Sequence, residues 1–295
     1  MLALFGPAAF GRSATARPVT FWKAHGLGND YLVCEDELLL DAALVRALCD
    51  RNRGIGADGI LQPVAAPENA DYAVRIWNPD GSVAEKSGNG LRIFARWLQS
   101  ERGAPPTFSV WTGACSVTCE ATATAVSVEM GAASFEPARI PLLAPAELVD
   151  GELEVGGEVL TVTAVGMGNP HCVLFRQEPL DELPWRRWGS EIERHPRFPN
   201  RTNVQFARVL SSSSVDIRIW ERGAGETQAS GSSSCAVVAA GVRTGRLALG
   251  RVRVCMPGGE LVVTVSATGI LLEGPVEVVG RFTLDGPWLA TRAKA

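Results

Sequence analysis

The sequence predicts an α+β protein of two pseudo-symmetric domains, each a strand-rich sheet wrapped around a central helix. Three observations lead to this fold class. One set of motifs occurs twice in the same order, with copies 143 and 140 residues apart. Both halves contain many short β-forming segments separated by turn residues. The segment 235–242 is apolar on every side, so a helix there must be buried on every side.

The repeated motifs are a Gly-Asn loop, an Ile-Trp strand end and a Ser-Gly turn. Their positions are 26–30, 76–78 and 87–88 in the first copy and 166–170, 219–221 and 230–231 in the second. In both copies the isoleucine of the strand end is eleven residues before the serine. Each turn is followed by small or apolar residues. We therefore predict that Ser87 and Ser230 each stand at the N-terminus of a buried helix.

The domain boundaries follow from the repeat. We predict an N-terminal domain at 18–131, to which 276–295 returns, and a C-terminal domain at 132–275. The last strand is assigned to the first domain because that domain otherwise begins with an unpaired terminal strand. Residues 1–17 are predicted to be a disordered extension. A secretory signal is not favoured there, because no basic residue precedes Arg12.

The individual elements follow from hydrophobic periodicity and turn residues. In the first half we predict strands at 19–23, 31–35, 60–62 and 73–77, helices at 40–51 and 91–98, and a meander of three strands at 108–111, 115–120 and 125–130. In the second half we predict strands at 160–165, 172–175, 203–209, 215–220, 252–256, 261–265 and 276–283, and a helix at about 232–242. The segment 184–199 is predicted to be irregular.

Composition excludes several classes of function. A net charge of −4 without a basic stripe gives no indication of nucleic-acid binding. No apolar run is long enough to span a membrane. The seven cysteines are scattered, without zinc-ligand spacing, which favours reduced thiols in the cytoplasm. Cys115 and Cys119 alternate with Val117, which predicts that they lie in the core on one face of a strand.

The two Ser-Gly turns also indicate a chemistry. A helix N-terminus presents backbone N–H groups without intrahelical partners, which favours a carboxylate or phosphate. Each serine alone is explained as an ordinary helix cap. Two such turns after matched strands are better explained by one shared ligand. Glu221 and Arg222 could form a surface ion pair, or could offer one group to an ammonium and the other to a carboxylate.

Several motifs together resemble the diaminopimelate epimerase family. They are GLGND at 26–30, NPDGS at 78–82, GNG at 88–90, GNPH at 168–171 and ERGAGET at 221–227. The resemblance covers nearly the whole chain. It implies an active site between two domains and stereoinversion of an amino-acid α-carbon. It also implies two cysteines, one removing the α-proton and the other returning a proton to the opposite face, with no pyridoxal phosphate, no other cofactor and no metal.

The sequence departs from this resemblance at both catalytic positions. Serine replaces the implied cysteines, so the candidate catalytic residues are Ser87 and Ser230. A serine hydroxyl is a much weaker acid than a thiol and carries protons poorly without a neighbouring base. Cys235 and Cys172 are interpreted as core residues that do not replace the missing thiols. The nearest candidate bases are Glu85, Lys86, His171 and Glu226.

The remaining site residues are those implied for substrate binding. They are Asn29, Asn78, Gly88, Asn89, Asn169, Asn203, Glu221, Arg222, Gly231 and Ser232. Taken singly, the asparagines are also typical turn formers.

Three functions stay open. The first is a cofactor-independent epimerase or racemase, with LL-/meso-diaminopimelate as the default substrate and a role in lysine biosynthesis. The second is an isomerase of another carbon acid. The third is a non-catalytic amino-acid-binding paralogue. The retained binding residues favour the first function, and the Ser/Ser pair favours the other two. The expected partner is a small amino-acid substrate, with no nucleic acid and no membrane, and a homodimer is left open.

Overall fold

The protein is described by a computed structural model, which covers residues 18–284 and 286–292. The expected extension at 1–17 lies outside the described residues. The described chain forms two compact units. Unit 1 comprises Asp30–Ala121, the segment that ends at His25 and the segment that begins at Glu277. Unit 2 comprises Gly26–Asn29 and Thr122–Val276. The predicted boundary at 131/132 stays a prediction.

In the described chain, strands outnumber helices in both units. The strands of the first half are β1 (Val19–Gly26), β2 (Asn29–Cys34), β3 (Ile60–Val64), β4 (Tyr72–Trp77), β5 (Val83–Ala84), β6 (Thr107–Trp111), β7 (Ser116–Ala121) and β8 (Val126–Gly131). The strands of the second half are β9 (Gly151–Val155), β10 (Glu158–Gly166), β11 (Pro170–Phe175), β12 (Asn203–Ser211), β13 (Ser214–Glu221), β14 (Gly225–Thr227), β15 (Gly250–Met256), β16 (Gly259–Ser266), β17 (Gly269–Gly274) and β18 (Glu277–Leu284).

Helices are fewer. They are α1 (Ala42–Cys49), α2 (Gly88–Arg102), α3 (Trp185–Glu193), α4 (Gly231–Arg243) and α5 (Gly286–Arg292), with short 3-10 turns at Pro137–Arg139 and Leu180–Glu182. Asp41 caps α1 by accepting a hydrogen bond from the Leu44 N–H. Gly103, in the left-handed conformation with φ of 66°, ends α2.

The strand order is the same in the two units. In unit 1, β1 pairs with β2, β2 runs parallel to β3, β3 antiparallel to β4, β4 parallel to β6 and β6 antiparallel to β7. In unit 2, β10 pairs with β11, β11 runs parallel to β12, β12 antiparallel to β13, β13 parallel to β15 and β15 antiparallel to β16. Helices α1 and α3 occupy matching places after the second strand, and α2 and α4 after the fourth. The duplication seen in the sequence is therefore a duplication of topology.

The central helix of unit 2 is covered on all sides, as its composition requires. Nearly every residue of α4 is buried, and the helix packs against β10, β11, β12, β16 and β17. Helix α2 of unit 1 is buried from Gly88 to Ala95 and again at Trp97 and Leu98, and it packs on β7. The predicted α+β class, with sheets wrapped around central helices, is confirmed.

Both units carry an outer strand beyond the repeated set. Strand β18 pairs antiparallel with β1, placing Phe21 opposite Phe282. Strand β9 pairs in the corresponding way with β10. Strand β8, which the sequence assigned to a meander with β6 and β7, pairs antiparallel with β17. That prediction was wrong because alternation identifies a strand but not its partner.

Two further predictions need correction. The segment predicted to be irregular contains α3, whose buried residues Trp185, Trp188 and Ile192 have helical spacing. Pro184 at its N-cap and Gly189 in its interior disguise this pattern. Gly189 has a packing reason, since a Cβ atom there would lie 2.8 Å from the Trp220 side chain. Cys115 is exposed, whereas Cys119 is buried as expected, because β7 begins only after Cys115.

Among the described residues, no helix is long and apolar enough to cross a membrane.

Candidate active site

Ser87 caps helix α2. Its backbone is extended, with φ of −140°, and its Oγ accepts a hydrogen bond of 3.0 Å from the N–H of Gly90. Gly88 and Asn89 form the first turn and are buried. Gly90 is tightly placed, because a Cβ atom there would lie 3.1 Å from both the Leu61 side chain and Ser87 Oγ. The prediction that Ser87 begins a buried helix is confirmed.

A second hydroxyl lies beside Ser87. The phenol oxygen of Tyr31, on β2, is 3.0 Å from Ser87 Oγ. Tyr31 is only 6% exposed. Sequence analysis missed it because a tyrosine on an apolar strand is typical of the core. The only signal was a hydroxyl directly after the GLGND motif.

Gly59 makes room for the Tyr31 ring. A Cβ atom at Gly59 would lie 2.4 Å from the Trp77 carbonyl oxygen and 2.6 Å from Cε1 of Tyr31. We therefore expect Gly59→Ala to lower the free energy of unfolding by about 1–3 kcal/mol, as overpacked core positions do. Urea denaturation measures this change. The matched control is Gly103→Ala, where no atom lies within 4 Å but φ is positive, so its cost comes from the backbone alone. Equal urea midpoints for Gly59→Ala and the unchanged protein would contradict this account of the packing.

Ser230 occupies the N-cap position of helix α4. Among the residues that the structure describes, its side chain makes no capping hydrogen bond. Its backbone carbonyl accepts hydrogen bonds from Ser234, at 3.1 Å from the N–H and 2.8 Å from the hydroxyl. Gly231 is buried and Ser232 is half-buried in the first turn. The second helix start is thus also confirmed, but the two serines have unlike surroundings.

A buried polar chain runs beneath the start of α4. His171 Nε2 is 2.8 Å from Asn169 Oδ1, and the Gln205 amide lies 3.1 Å from His171 Nδ1 and 3.0 Å from Ser233 Oγ. Since the Asn169 oxygen accepts, His171 carries its proton on Nε2. Burial lowers the pKa of His171 to about 3, so the ring is neutral. The Asn169 side chain is thereby held in a fixed orientation.

Asn203 fastens the beginning of the Glu-Arg-Gly turn. Its Nδ2 donates to the Pro170 carbonyl at 2.9 Å, and its Oδ1 accepts from the Arg222 N–H at 3.0 Å. Glu221, at the end of β13, is half-buried, and the exposed Arg222 donates to the Asn200 carbonyl at 3.2 Å. Asn169, Asn203, Glu221 and Arg222 therefore lie at one edge of the unit 2 sheet.

Glu193 holds the same turn from beneath. Its carboxylate is 3% exposed and accepts hydrogen bonds from the Trp220 indole at 2.9 Å and the Gly223 N–H at 2.7 Å, and it pairs with Arg201. Burial would raise the pKa of Glu193, but these hydrogen bonds and the Arg201 charge outweigh it and hold the pKa below its usual value. Sequence analysis missed Glu193 because its partners are distant along the chain.

The remaining predicted binding residues lie in turns. Asn78 follows β4, and its side-chain amide donates to Ser82 Oγ at 2.9 Å. Asn29 is half-buried at the start of β2. Among the described residues, no group of three His, Cys, Asp or Glu side chains is placed to hold a metal ion.

Comparison with known proteins identifies the family. The family model for diaminopimelate epimerase matches residues 21–136 and 163–279. The diaminopimelate epimerase of Desulforudis audaxviator is 43% identical over 284 residues, covering 91% of this chain and 99% of the relative. That of Pelotomaculum thermopropionicum is 41% identical over 273 residues, covering 88% and 96%. The chain belongs to the diaminopimelate epimerase family.

A solved structure outside this family shares the fold. A probable proline racemase from Agrobacterium radiobacter K84 superposes with a TM-score of 0.66 at 15% identity, covering 90% of this chain and 92% of that one. At such low identity the similarity concerns the fold alone.

Most of the candidate bases are unsuited to accept a proton from Ser87 or Ser230. His171 is fully buried and neutral, and both of its ring nitrogens form hydrogen bonds. Glu226 is exposed and forms two hydrogen bonds with Arg186, at 2.7 and 3.0 Å. Glu85 is exposed, and only Lys86 is half-buried. Cys172 and Cys235 are fully buried, as expected for core residues, and burial raises the pKa of the Cys172 thiol.

Proposed function

We propose that this protein is a cofactor-independent amino-acid epimerase, with LL-/meso-diaminopimelate as its default substrate and a role in lysine biosynthesis. The observation that carries the proposal is the pair of matched turns, each with a serine at the N-cap position of a buried central helix. Family membership over nearly the full length of the relatives supports the same reaction. Ser87 and Ser230 are the proposed proton-transfer groups.

The proposed binding chemistry uses charge and backbone dipoles. The proposed carboxylate-binding groups are the backbone N–H groups at the helix starts, those of Gly88 and Asn89 in α2 and those of Gly231 and Ser232 in α4. The ammonium binds Glu221 and an asparagine carbonyl oxygen. Arg222 and the asparagines Asn29, Asn78, Asn169 and Asn203 complete the proposed set, with Asn203 acting through the turn that it fastens.

Binding is testable without turnover. We expect Glu221→Ala and Asn78→Ala each to weaken diaminopimelate binding about tenfold or more, since hydrogen bonds to charged groups contribute about 1.5–3 kcal/mol. Isothermal titration calorimetry measures the change. Glu68→Ala and Asn52→Ala, at exposed positions, are the matched controls. Unchanged affinity in both test variants would argue against this binding mode.

The reaction itself is tested by exchange of the α-proton in deuterated water. A panel of amino acids, with diaminopimelate first, is incubated with the protein and followed by NMR. Exchange with inversion supports the epimerase. Because the Ser/Ser pair weakens both proton carriers, a second function is an isomerase of another carbon acid. Binding without exchange of any amino acid would instead indicate the non-catalytic paralogue.

The proposed setting is the cytoplasm. All seven cysteines are free thiols, as is usual for a reducing compartment.

A further inference from the structure

Ser87 needs a proton acceptor if it is to act as a base. A serine alkoxide is rarely populated, so the hydroxyl must lose its proton as it takes one from the substrate. The hydroxyl seen in contact with Ser87 is that of Tyr31, with the two oxygens 3.0 Å apart. An ordinary tyrosine has a pKa of about 10, so its phenolate forms far more readily than a serine alkoxide and can accept the seryl proton.

The hydrogen bonds around Ser87 determine which oxygen donates in the contact between Ser87 and Tyr31. Its Oγ accepts the Gly90 N–H at 3.0 Å, which uses one lone pair. The oxygen retains its own proton and a second lone pair. Facing an ionised Tyr31, which can only accept, Ser87 must donate that proton to the phenolate. The second lone pair is then available to a proton from the substrate.

The position of Tyr31 is set by rigid structure. The residue after it, Leu32, pairs with Ile60 in the parallel contact between β2 and β3, and the ring packs against Gly59. The phenol oxygen is thereby held beside the N-terminus of α2, where a helix dipole stabilises negative charge. The contact with Ser87 and the helix dipole therefore favour a phenolate, whereas burial of the ring opposes it.

We propose that Tyr31 is a positioning residue that accepts the Ser87 proton during α-proton removal; this rests on the proposed epimerase function. In the step, the Cα–H bond of the substrate breaks and its electron pair stays on the substrate. The α-proton forms a new O–H bond with Ser87 while the original seryl proton moves to the Tyr31 phenolate. The reverse step returns a proton from Ser87 to carbon as Tyr31 gives one back. Ser230 differs from Ser87 because, among the described residues, its side chain forms no capping hydrogen bond.

The first test is the pH profile of α-proton exchange on diaminopimelate. The rate for the unchanged protein is expected to rise at alkaline pH, as the phenolate forms. Tyr31→Phe keeps the ring and removes the oxygen, so it should lower exchange roughly a hundredfold and abolish the alkaline rise. The matched control is Tyr72→Phe, since Tyr72 is the other of two tyrosines and packs edge-on against Phe108. In a Ser87→Cys background, Tyr31→Phe should matter little, because a thiol ionises without help. An unchanged rate and profile in Tyr31→Phe would overturn the proposal.

The second test needs no substrate, so it separates failure of this inference from failure of the epimerase proposal. Tyrosinate absorbance is titrated with pH, and the Tyr31 contribution is the difference from Tyr31→Phe. Ser87→Ala removes the donor to the phenolate and should move the Tyr31 midpoint to higher pH. Ser100→Ala, at the far end of the same helix, should leave the midpoint unchanged. Equal midpoints in the unchanged protein and Ser87→Ala would refute the shared proton even if the protein turns over amino acids. Conversely, a shifted midpoint without exchange of any amino acid would support the pair and reject the epimerase.

Discussion

Replacing both capping serines with cysteine, Ser87→Cys with Ser230→Cys, should raise α-proton exchange and epimerisation of diaminopimelate by roughly 10²–10⁴-fold, the usual range for general acid–base catalysis. A thiol has a pKa of about 8.5, which a helix N-terminus can lower to roughly 3.5–7.5. Both serines occupy such a place. A serine hydroxyl would need a far larger shift than a helix start supplies.

The single variants act as internal controls. Either Ser87→Cys or Ser230→Cys alone should help less than the pair, because inversion needs both an acid and a base. Exchange is followed by NMR in deuterated water, and inversion by chiral chromatography. If the unchanged protein already epimerises diaminopimelate at an ordinary enzymatic rate, roughly 1–10³ per second, the argument from serine acidity is wrong.

The largest expected loss of stability comes from Glu193→Ala. The substitution leaves the Trp220 and Gly223 N–H groups and the Arg201 charge without their acceptor. Breaking a buried ion pair in this way costs about 3 kcal/mol, at the lower end of the usual range because the Arg201 side chain is 42% exposed. Urea denaturation measures this cost. The turn carrying Glu221 and Arg222 loses its support, so amino-acid affinity should fall as well.

The same carboxylate makes stability depend on pH. The pKa of Glu193 is lower in the folded protein than in the unfolded chain. Its contribution is therefore fully present above the unfolded value of about 4.3 and is lost as the pH falls through the folded value. Glu193→Gln should flatten this acid limb of the stability curve. Glu182→Gln, at an exposed position, should reproduce the unchanged curve within about 0.5 kcal/mol. An acid limb that persists in Glu193→Gln would show that another group causes it.

The parts of the fold that were predictable share one property, which is that their signal is local. A Ser-Gly pair before an apolar run predicts the start of a buried helix, and Ser87 and Ser230 both occupy the N-cap position of such a helix. Helix α3 had the helical spacing of buried residues, but Gly189 concealed it. A glycine is required at that position because the Trp220 side chain, which is distant in the sequence, packs against it.

The parts of the site that were missed depend on contacts between distant residues. Glu193 and Gly223 are 30 positions apart, and Tyr31 and Ser87 are 56 apart. Apart from its place directly after the GLGND motif, nothing near Tyr31 in the sequence distinguishes its hydroxyl from that of a core tyrosine. Only the pairing of strands and the position of α2 bring the two oxygens together.

The pairing of β1 with β18 has a consequence for the order of events on the ribosome. Phe21 is translated long before its neighbour Phe282. At roughly 5–20 residues per second, the nascent β1 waits on the order of tens of seconds for its partner. The strands from β9 to β17 are contiguous in the chain and need no such wait. The free edge of β1 is thus completed only after the strands of unit 2 have been translated.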